Sequence, residues 1–212
     1  MNVESSRHHY EQAELTEESL HKNPIVQLQR WLDEAYADES VREPNAMCVA
    51  TVDSEGQPSA RIVLLRGLDD RGLVFYTSYF SRKGRELHDN PRIAAVFYWP
   101  MLERQVRVEG TVTQVSDDES DAYFESRPRG HRLSAWASEQ SEPIESRAIL
   151  DERLAHFDER FGDDEVPRPH SWGGYLIVPA RIEFWQGRPN RMHDRLLYTR
   201  EGRDWTIARL QP

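Results

Sequence analysis

Cationic and titratable side chains are concentrated in the stretch EFWQGRPNRMHDRL, residues 183–196, although the chain has a formal net charge of −10. The residue pattern predicts a hairpin in which RIEFW and RMHDRLLY are strands and QGRPN is the turn. Because side chains alternate between the two faces of a strand, Arg191, His193 and Arg195 would share one face. Met192 would point the other way. The shared face could bind an anion, and a solvated hairpin surface is the alternative.

Another cationic group lies in SRKGREL, residues 81–87. Ser81 is a typical N-cap, so a short helix is predicted with Arg82 and Lys83 in its first turn. Free backbone N–H groups at such a helix start favour a phosphate, although an ordinary surface helix start fits equally well. Upstream, ARIVLLRG places Arg61 and Arg66 at the two ends of a strand, on opposite faces if the strand is ideal.

A second anion clamp is predicted in YFESRPRGHRLSAWASEQS, residues 123–141. Tyr123 and Arg127 are four apart, which places them on one face of a helix, and Arg129, His131 and Arg132 follow in a predicted loop. An aromatic ring beside a guanidinium suits a planar, phosphorylated ligand, since the ring stacks and the guanidinium pairs bidentately. The alternative is a helix C-terminus whose dipole is satisfied by basic residues.

Several common chemistries have no motif in this chain. It contains neither of the common glycine-rich nucleotide loops, no G-x-S-x-G nucleophile motif and no H-E-x-x-H, and its eight histidines are scattered, so no metal site is predicted. Cationic clamps, aromatic rings and one well-placed histidine are typical of a protein in which a bound cofactor performs the chemistry.

Composition restricts the class of protein. A chain of 212 residues suits one domain, and a charge of −10 with a pI near 5.3 argues against a general nucleic-acid or anionic-membrane binder. Cys48 is the only cysteine, which excludes an internal disulfide, and its apolar surroundings predict a buried thiol. No run reaches the roughly 18 apolar residues of a membrane helix, so a soluble cytoplasmic protein is expected.

The elements that must position these residues follow from hydrophobic periodicity. Residues 1–22 are polar and predict a mobile arm, and residues 23–212 a single domain. A helix follows Pro24, then come strand-like runs separated by turns, helices after residue 116, and strands again in the last third. The order predicts an α+β fold with an antiparallel barrel and flanking helices. One helical stripe is expected to join the core: Leu150, Leu154, Phe157 and Phe161.

Seven blocks of this chain resemble the pyridoxamine 5′-phosphate oxidase family in order and spacing. They are RIVLLRG, VFYTSYFSRKGREL, LERQVRVEG, YFESRPRGHRLSAWASEQS, WGGY, EFWQGRPNRMHDRLLY and the terminal RLQP. The resemblance spans nearly the whole chain. It implies a split β-barrel flavoprotein, usually a homodimer, with FMN bound between the two subunits.

The resemblance also implies site residues, position by position. Those expected to contact FMN are Arg61, Ile62, Val63, Leu64, Leu65, Arg66, Tyr76, Thr77, Arg82, Lys83, Gln105, Gln140, Ser141, Trp185 and Arg195. Those expected to contact the substrate are Arg66, Tyr123, Arg127, His131, Arg191, Met192 and His193, together with Arg7 and Tyr10 of the arm. The family commonly has lysine in place of Arg66 and often serine in place of His131, and an arginine fork is not equivalent to a lysine.

The reaction implied by the resemblance is oxidation of pyridoxamine or pyridoxine 5′-phosphate to pyridoxal 5′-phosphate, by hydride transfer from C4′ to N5 of FMN. O₂ then reoxidises the flavin and yields H₂O₂. Arg191 and His193 would be the catalytic residues, positioning the substrate and polarising the C4′ substituent. Two alternatives are an oxidase of the phenazine-biosynthetic branch, which acts on larger unphosphorylated substrates, and a non-catalytic carrier of FMN or pyridoxal phosphate.

Overall fold

An antiparallel sheet of nine strands dominates the computed structural model, which describes residues 10–212. The strands are β1 Ala46–Val52, β2 Pro58–Leu64, β3 Gly67–Asp69, β4 Gly72–Ser78, β5 Arg92–Trp99, β6 Arg104–Gln114, β7 Trp172–Gln186, β8 Asp194–Glu201 and β9 Asp204–Arg209. The helices are α1 Pro24–Ala37, α2 Arg82–Asp89, α3 Asp117–Glu125, α4 Arg129–Ala137 and α5 Arg147–Phe161. The predicted α+β order is therefore observed.

The long strand β7 divides the sheet. The main order is β2-β1-β5-β6-β7-β4-β3, whereas β8 and β9 continue from the other half of β7. β4 pairs with the first residues of β7 and β8 with its last, while β6 pairs along most of its length. The register of β6 against β7 shifts between Glu109 and Gly110. A Cβ at Gly110 would lie 2.2 Å from the carbonyl oxygen of Val178, so a glycine is needed for this bulge that curls the sheet into a half-barrel.

The inner face of the curled sheet and one face of α1 form the core. Alternate residues of β1, β5 and β6 are fully buried, as the period of two requires. Helix α1 begins at Pro24 behind the N-cap Asn23, and its Trp31 packs edge-on against Phe184 of β7, with 5.1 Å between the ring centroids. The apolar periodicity of α1 was therefore a sound guide to its buried face.

The outer face of β1, β2 and β5 is only partly covered within one chain. Ile62 and Tyr98 are 64% and 55% exposed, although both belong to a continuous sheet. Cys48 pairs directly with Ile62 and Val96 on this face and is half-buried, so the prediction of a buried core thiol is wrong. A contiguous apolar surface of this kind is typical of an interaction surface.

Helix α5 differs from its prediction. None of its residues is buried, so its apolar stripe does not join the core of the barrel. Phe157 and Phe161 instead pack beside Trp136 of α4, with centroids 5.7 and 5.5 Å away. The periodicity correctly indicated a one-sided helix, but its partner is another surface helix.

The segment before α1 is attached to the barrel where it is described. Leu15 is 4% exposed within the core cluster, and its amide donates to Oδ2 of Asp194 over 3.1 Å. The hydroxyl of Tyr198 donates to the carbonyl of His21 over 2.7 Å. Packing therefore begins well before residue 23. The predicted arm contact Arg7 lies outside the described residues.

Candidate active site

A cavity of about 940 Å³ opens between β2, β4 and the segment that joins α3 to α4. It brings together most of the predicted cofactor and phosphate ligands. Those that line it are Arg61, Ile62, Val63, Leu64, Arg66, Tyr76, Thr77, Arg82, Lys83, Tyr123, Arg127, His131, Gln140 and Ser141. The cavity also has lining residues that the sequence did not indicate, chiefly Ser59, Ser126 and Trp172.

At one end of the cavity lies Lys83, at the start of α2. Ser81 caps this helix by accepting from the amide of Gly84, as predicted. Lys83 is 6% exposed, and its Nζ donates to Thr77 Oγ1 over 2.9 Å and to Gln140 Oε1 over 3.4 Å. Burial, helped by the charge of Arg61, lowers the pKa of Lys83 to about 8. Within residues 10–212 no carboxylate lies within ion-pair distance of Lys83, so a buried cation faces the cavity with neutral partners only.

Glu86 lies beneath this end of the cavity and joins two of the other predicted ligands. Its buried carboxylate accepts from Nε of Arg82 over 2.8 Å, from Nη2 of Arg61 over 3.2 Å, and from the hydroxyls of Thr51 and Ser59. Burial alone would raise the pKa of Glu86, but these hydrogen bonds and the charge of Arg61 lower it to about 2. Glu86 is therefore ionised.

The charges at this end of the cavity do not cancel. Arg61, Arg82 and Lys83 supply three positive charges and Glu86 one negative charge, which leaves a charge of about +2. A dianionic phosphate monoester would neutralise this set, and the free N–H groups at the start of α2 add donors for its oxygens. Glu86 was missed by the sequence reasoning, although its position four residues after Arg82 was an available signal.

The other end of the cavity is formed by an aromatic stack and Arg127. The rings of Tyr76 and Tyr123 lie 3.8 Å apart at 13°, and Trp172 continues the stack. Burial raises the pKa of Tyr76 to about 12, so its phenol is neutral. The guanidinium carbon of Arg127 lies 4.5 Å from the centroid of the Trp172 ring. The stack therefore packs against the guanidinium of Arg127 and stabilises it by a cation–π contact.

Arg127 also has an unsatisfied donor. Its Nη1 is buried and has no hydrogen-bond partner within the described part of the chain. Burial, reinforced by the charge of Arg66, lowers the pKa of Arg127 below its usual value. A buried N–H without an acceptor is costly, so an anionic acceptor in the cavity would stabilise this arrangement.

The local structure around Arg127 corrects two expectations. Helix α3 ends at Glu125, so Arg127 lies beyond the helix rather than on a face shared with Tyr123. Pro128 explains the break, because a proline disfavours helical backbone in the residue before it. His131 and Arg132 lie in α4 rather than in a loop, and the exposed ring of His131 lines the cavity from the first turn of that helix.

The remaining predicted contacts lie elsewhere on the chain. Gln105, Trp185 and Arg195 are directly opposite one another on β6, β7 and β8 and therefore share the outer face of the sheet. None of the three lines the cavity. Leu65 does not line it either, because its side chain is 8% exposed and belongs to the core.

The predicted hairpin is shorter than expected. Strand β8 begins at Asp194, and Pro189–Arg191 form a 3₁₀ turn in which Asn190 and Arg191 have φ values of 57° and 63°. The strand alternation invoked for Arg191, His193 and Arg195 is therefore wrong, because left-handed residues interrupt the extended backbone. Arg191 and Met192 are exposed in this connection.

His193 nevertheless lies beside the outer-face residues. Its ring centroid is 4.7 Å from that of Trp185 and 5.6 Å from that of Tyr10, which also packs edge-on against Trp185. The amide of Arg188 donates to Nδ1 of His193 over 3.1 Å. Burial, followed by the charge of Arg191, lowers the pKa of His193 and so favours the neutral ring. Because Nδ1 accepts the bond from the Arg188 amide, the proton of the neutral ring is on Nε2. Tyr10, Trp185 and His193 thus form an aromatic cluster outside the cavity.

Residues 10–212 also bear on metal binding and on membrane insertion. No group of three or more histidine, cysteine or acidic side chains there is arranged to hold a metal ion. In the same residues, no helix combines the length and apolar character needed to cross a bilayer.

Known proteins resemble the chain over nearly its whole length. The family described as "Pyridoxamine 5′-phosphate oxidase" matches residues 32–160, and "Pyridoxine 5′-phosphate oxidase C-terminal dimerisation region" matches residues 172–212. The pyridoxine/pyridoxamine 5′-phosphate oxidase of Rubrobacter xylanophilus is 58% identical over 206 residues, which cover 97% of this chain and 94% of that protein.

Two solved structures also resemble this chain in fold. PhzG from Burkholderia lata, in complex with tetrahydrophenazine-1-carboxylic acid, has a TM-score of 0.86 at 34% identity and covers 92% of this chain and 95% of its own. An FMN-binding protein from Nostoc punctiforme, related to pyridoxamine 5′-phosphate oxidase, has a TM-score of 0.71 at 20% identity over 91% of this chain and all of its own, which shows the shared fold.

Three predictions are confirmed at the level of the family: a split barrel with flanking helices, FMN as the cofactor, and an oxidase activity. The C-terminal strands of the chain carry the family's dimerisation region. This chain belongs to the pyridoxamine 5′-phosphate oxidase family.

Proposed function

We propose that this protein oxidises pyridoxamine 5′-phosphate and pyridoxine 5′-phosphate to pyridoxal 5′-phosphate, with FMN as cofactor and O₂ as the final electron acceptor, which becomes H₂O₂. The observation that carries the proposal is that one cavity is lined by two cationic groups from different elements, one around Lys83 at the start of α2 and one around Arg127 between α3 and α4. A reaction between a phosphorylated cofactor and a phosphorylated substrate needs two phosphate sites close together. The name of the relative from Rubrobacter xylanophilus supports the same substrates.

The Lys83 end suits the FMN phosphate. It combines a capped helix start, a charge of about +2 and a buried cation without a carboxylate partner. The strand Arg61 to Leu64 lines the neighbouring wall, where its backbone could meet the edge of the flavin ring. Thr77 and Gln140 are both bound to the Lys83 ammonium and would keep it oriented.

The Arg127 end suits the phosphate of the substrate. The unpaired Nη1 of Arg127 is an available donor, and Arg66 and His131 line the same part of the cavity. A guanidinium pairs with two phosphate oxygens at once, and each charge-assisted hydrogen bond contributes about 1.5–3 kcal/mol. Tyr123, stacked on Tyr76, would supply a phenolic hydroxyl beside the phosphate.

The active site is proposed to be completed by a second copy of the chain. In one chain the cavity lacks Gln105, Trp185, Arg191, His193 and Arg195, although the family resemblance places all five at the site. The outer sheet face that carries three of them also exposes Ile62 and Tyr98, and the matched dimerisation region begins with β7. In a homodimer, the outer face of one chain would cover the cavity of its partner.

The chemistry removes two electrons and two protons from the C4′ amine or alcohol of the substrate. Bound FMN supplies the two-electron acceptor, whose reoxidation converts O₂ and two protons to H₂O₂. The alcohol gives the aldehyde directly, whereas the amine gives an imine whose hydrolysis releases ammonia and the aldehyde.

The side chains orient the substrate and bind its polar groups. Arg127 would anchor the phosphate, so that C4′ is held in one place against the flavin. His193 holds its proton on Nε2, because Nδ1 accepts from the amide of Arg188, and would therefore donate a hydrogen bond to the C4′ substituent. Arg191, next to it in the chain and exposed, is free to contact the substrate ring.

A phenazine-type oxidase is the second candidate, favoured by the likeness to PhzG at a TM-score of 0.86. The cavity favours a phosphorylated substrate instead, because a phosphate dianion balances the two guanidinium groups of Arg66 and Arg127, whereas the single carboxylate of a phenazine acid balances one.

The decisive experiment follows the flavin absorption of the purified protein without oxygen. Addition of pyridoxine 5′-phosphate should bleach the band, and admission of air should restore it with formation of H₂O₂. A flavin band that is present but not bleached by either vitamin phosphate would contradict the proposal and favour the carrier or another substrate.

A further inference from the structure

Arg195 is bound on three sides within its own chain. Its Nε and Nη2 donate to the two carboxylate oxygens of Glu183 over 2.8 and 3.2 Å, and its Nη1 donates to the carbonyl of Gln211 over 2.9 Å. Its own carbonyl accepts from the amide of Leu210 over 2.9 Å. A bidentate carboxylate fixes both the position and the plane of a guanidinium, so Arg195 has little rotational freedom.

Glu183 is buried, with 7% of its side chain exposed, although it lies on the outer face of the sheet. Besides Arg195, it accepts from Nη1 of Arg107, which lies directly opposite on β6, over 3.3 Å. A nearby carboxylate, Glu109, contacts Arg107 and Arg181 instead and is 42% exposed. Glu183 is thus the carboxylate that joins Arg195 to the sheet, and Glu109 provides a matched comparison on the same face.

Arg195 lies in a row of three side chains on the outer face of the sheet. Arg195 is directly opposite Trp185 on β7, and Trp185 is directly opposite Gln105 on β6, so the three side chains form one row. The row faces away from the core and lies next to the His193 ring. A flavin held against this row would meet Arg195 in the orientation that Glu183 imposes.

We propose that Glu183 is a positioning residue for FMN: it holds the Arg195 guanidinium in the plane needed to contact the flavin of the partner's cavity, and does not touch the flavin itself. The inference rests on the proposed FMN site, because Arg195 must contact the flavin for its orientation to matter.

The test measures the rate at which purified holoprotein releases FMN after dilution, from the recovery of free-flavin fluorescence. Glu183→Gln keeps the shape but offers one acceptor oxygen, and Glu183→Asp keeps the charge but is too short to hold both nitrogens. Each should accelerate release by about tenfold. Glu109→Gln should leave the rate within about twofold of the wild type. Melting temperatures of the flavin-free proteins show whether each variant is folded. If Glu183→Gln is unfolded, the release rate of Glu183→Asp tests the proposal.

The variant Arg195→Gln distinguishes a failure of the positioning role of Glu183 from a failure of the proposed FMN site. It should accelerate release at least as much as Glu183→Gln, and the double variant should be no faster than Arg195→Gln alone, because both changes remove one interaction. If Arg195→Gln is fast and both Glu183 variants release FMN at the wild-type rate, the positioning role is overturned and the FMN site stands. If Arg195→Gln itself has no effect, the assignment of Arg195 to the flavin is overturned, and the role of Glu183 with it.

Discussion

The two cationic regions of this chain differ in how their charges are balanced. In the cavity, Lys83 has only neutral partners and Arg127 keeps a buried N–H without an acceptor in the described chain. On the outer face, Arg195 and Arg107 are both bound to Glu183. Buried cations without carboxylates are costly unless a ligand supplies the anion, whereas paired cations are already satisfied. We therefore propose that the first region binds phosphate and that the second holds the Arg195 guanidinium in a fixed orientation.

The largest effect is expected from Lys83→Met, which removes the buried ammonium at one end of the cavity but keeps an unbranched side chain. Loss of a charge-assisted bond to phosphate, about 2–3 kcal/mol, should raise the dissociation constant of FMN about 30- to 150-fold. The flavin-free variant should melt no lower than the wild type, because the buried charge has no carboxylate to lose. Fluorescence titration measures the dissociation constant of FMN, and thermal melting measures the stability of the apoprotein. A destabilised apoprotein with normal FMN affinity would show instead that Lys83 stabilises the fold and does not bind the phosphate.

Arg127→Ala should raise the KM for pyridoxine 5′-phosphate by at least about tenfold, since at least one charge-assisted bond to phosphate, about 1.5 kcal/mol or more, is lost. FMN should remain bound, because this residue lies at the other end of the cavity. Arg129→Ala is the matched control: its guanidinium is already held by Asp158 and by the carbonyl of Asp164. Steady-state kinetics should therefore give a raised KM for Arg127→Ala and a wild-type KM for Arg129→Ala. Equal KM values would place the substrate phosphate elsewhere.

The pH dependence of FMN binding follows from Lys83. Its folded pKa of about 8 lies below its ordinary value, so the ammonium that attracts phosphate is lost as pH rises through about 8. The affinity of the apoprotein for FMN should fall by up to about tenfold per pH unit above that point. Lys83→Arg remains charged and should abolish this slope. A wild-type affinity that is constant between about pH 7 and 9.5 would argue against the role of Lys83.

The free energy of unfolding of the apoprotein changes with pH in the opposite direction to its affinity for FMN. Between about 8 and the unfolded pKa near 10.5, the unfolded chain holds a proton that the folded apoprotein has released. The apoprotein should therefore gain stability with rising pH in this window through Lys83, and lose FMN affinity. Denaturant titrations of the wild type and of Lys83→Met, compared across the window, measure this contribution. An identical pH dependence in both proteins would contradict it.

The smallest effect is expected from Arg66→Lys. Arg66 is exposed, and its side chain makes no hydrogen bond within the described part of the chain, so it adds long-range attraction more than a fixed contact. The KM for pyridoxine 5′-phosphate should change by less than about threefold. A larger increase, measured in the same kinetic assay, would show that the arginine fork itself is needed.

Local patterns predicted part of the site. The cap at Ser81 and the cations that follow it are encoded within one helix turn, and the structure has them as expected. The helix α1 and the strands also follow from periodicity. These features depend on neighbours in the chain, which a sequence displays directly.

Features that depend on distant neighbours were missed. Glu86 reaches Thr51, 35 residues away, and Trp172 meets Tyr123 and Arg127 only after β7 is added to the sheet. The alternation argument failed at residues 191 and 193 because Asn190 and Arg191 both have left-handed backbone, which is common for an asparagine but unusual for an arginine. Register between strands, which aligns Gln105, Trp185 and Arg195, is a property of the folded sheet.

The central claim is that the cavity of one chain and the outer face of another form a single active site. Co-expression of Lys83→Met chains with Arg191→Ala chains under different affinity tags isolates the heterodimer, whose turnover of pyridoxine 5′-phosphate is then measured. One of its two sites would contain both intact regions, so we predict about half of the wild-type activity, although each variant homodimer is nearly inactive. A heterodimer no more active than the variant homodimers would contradict the claim, because both regions would then act within one chain.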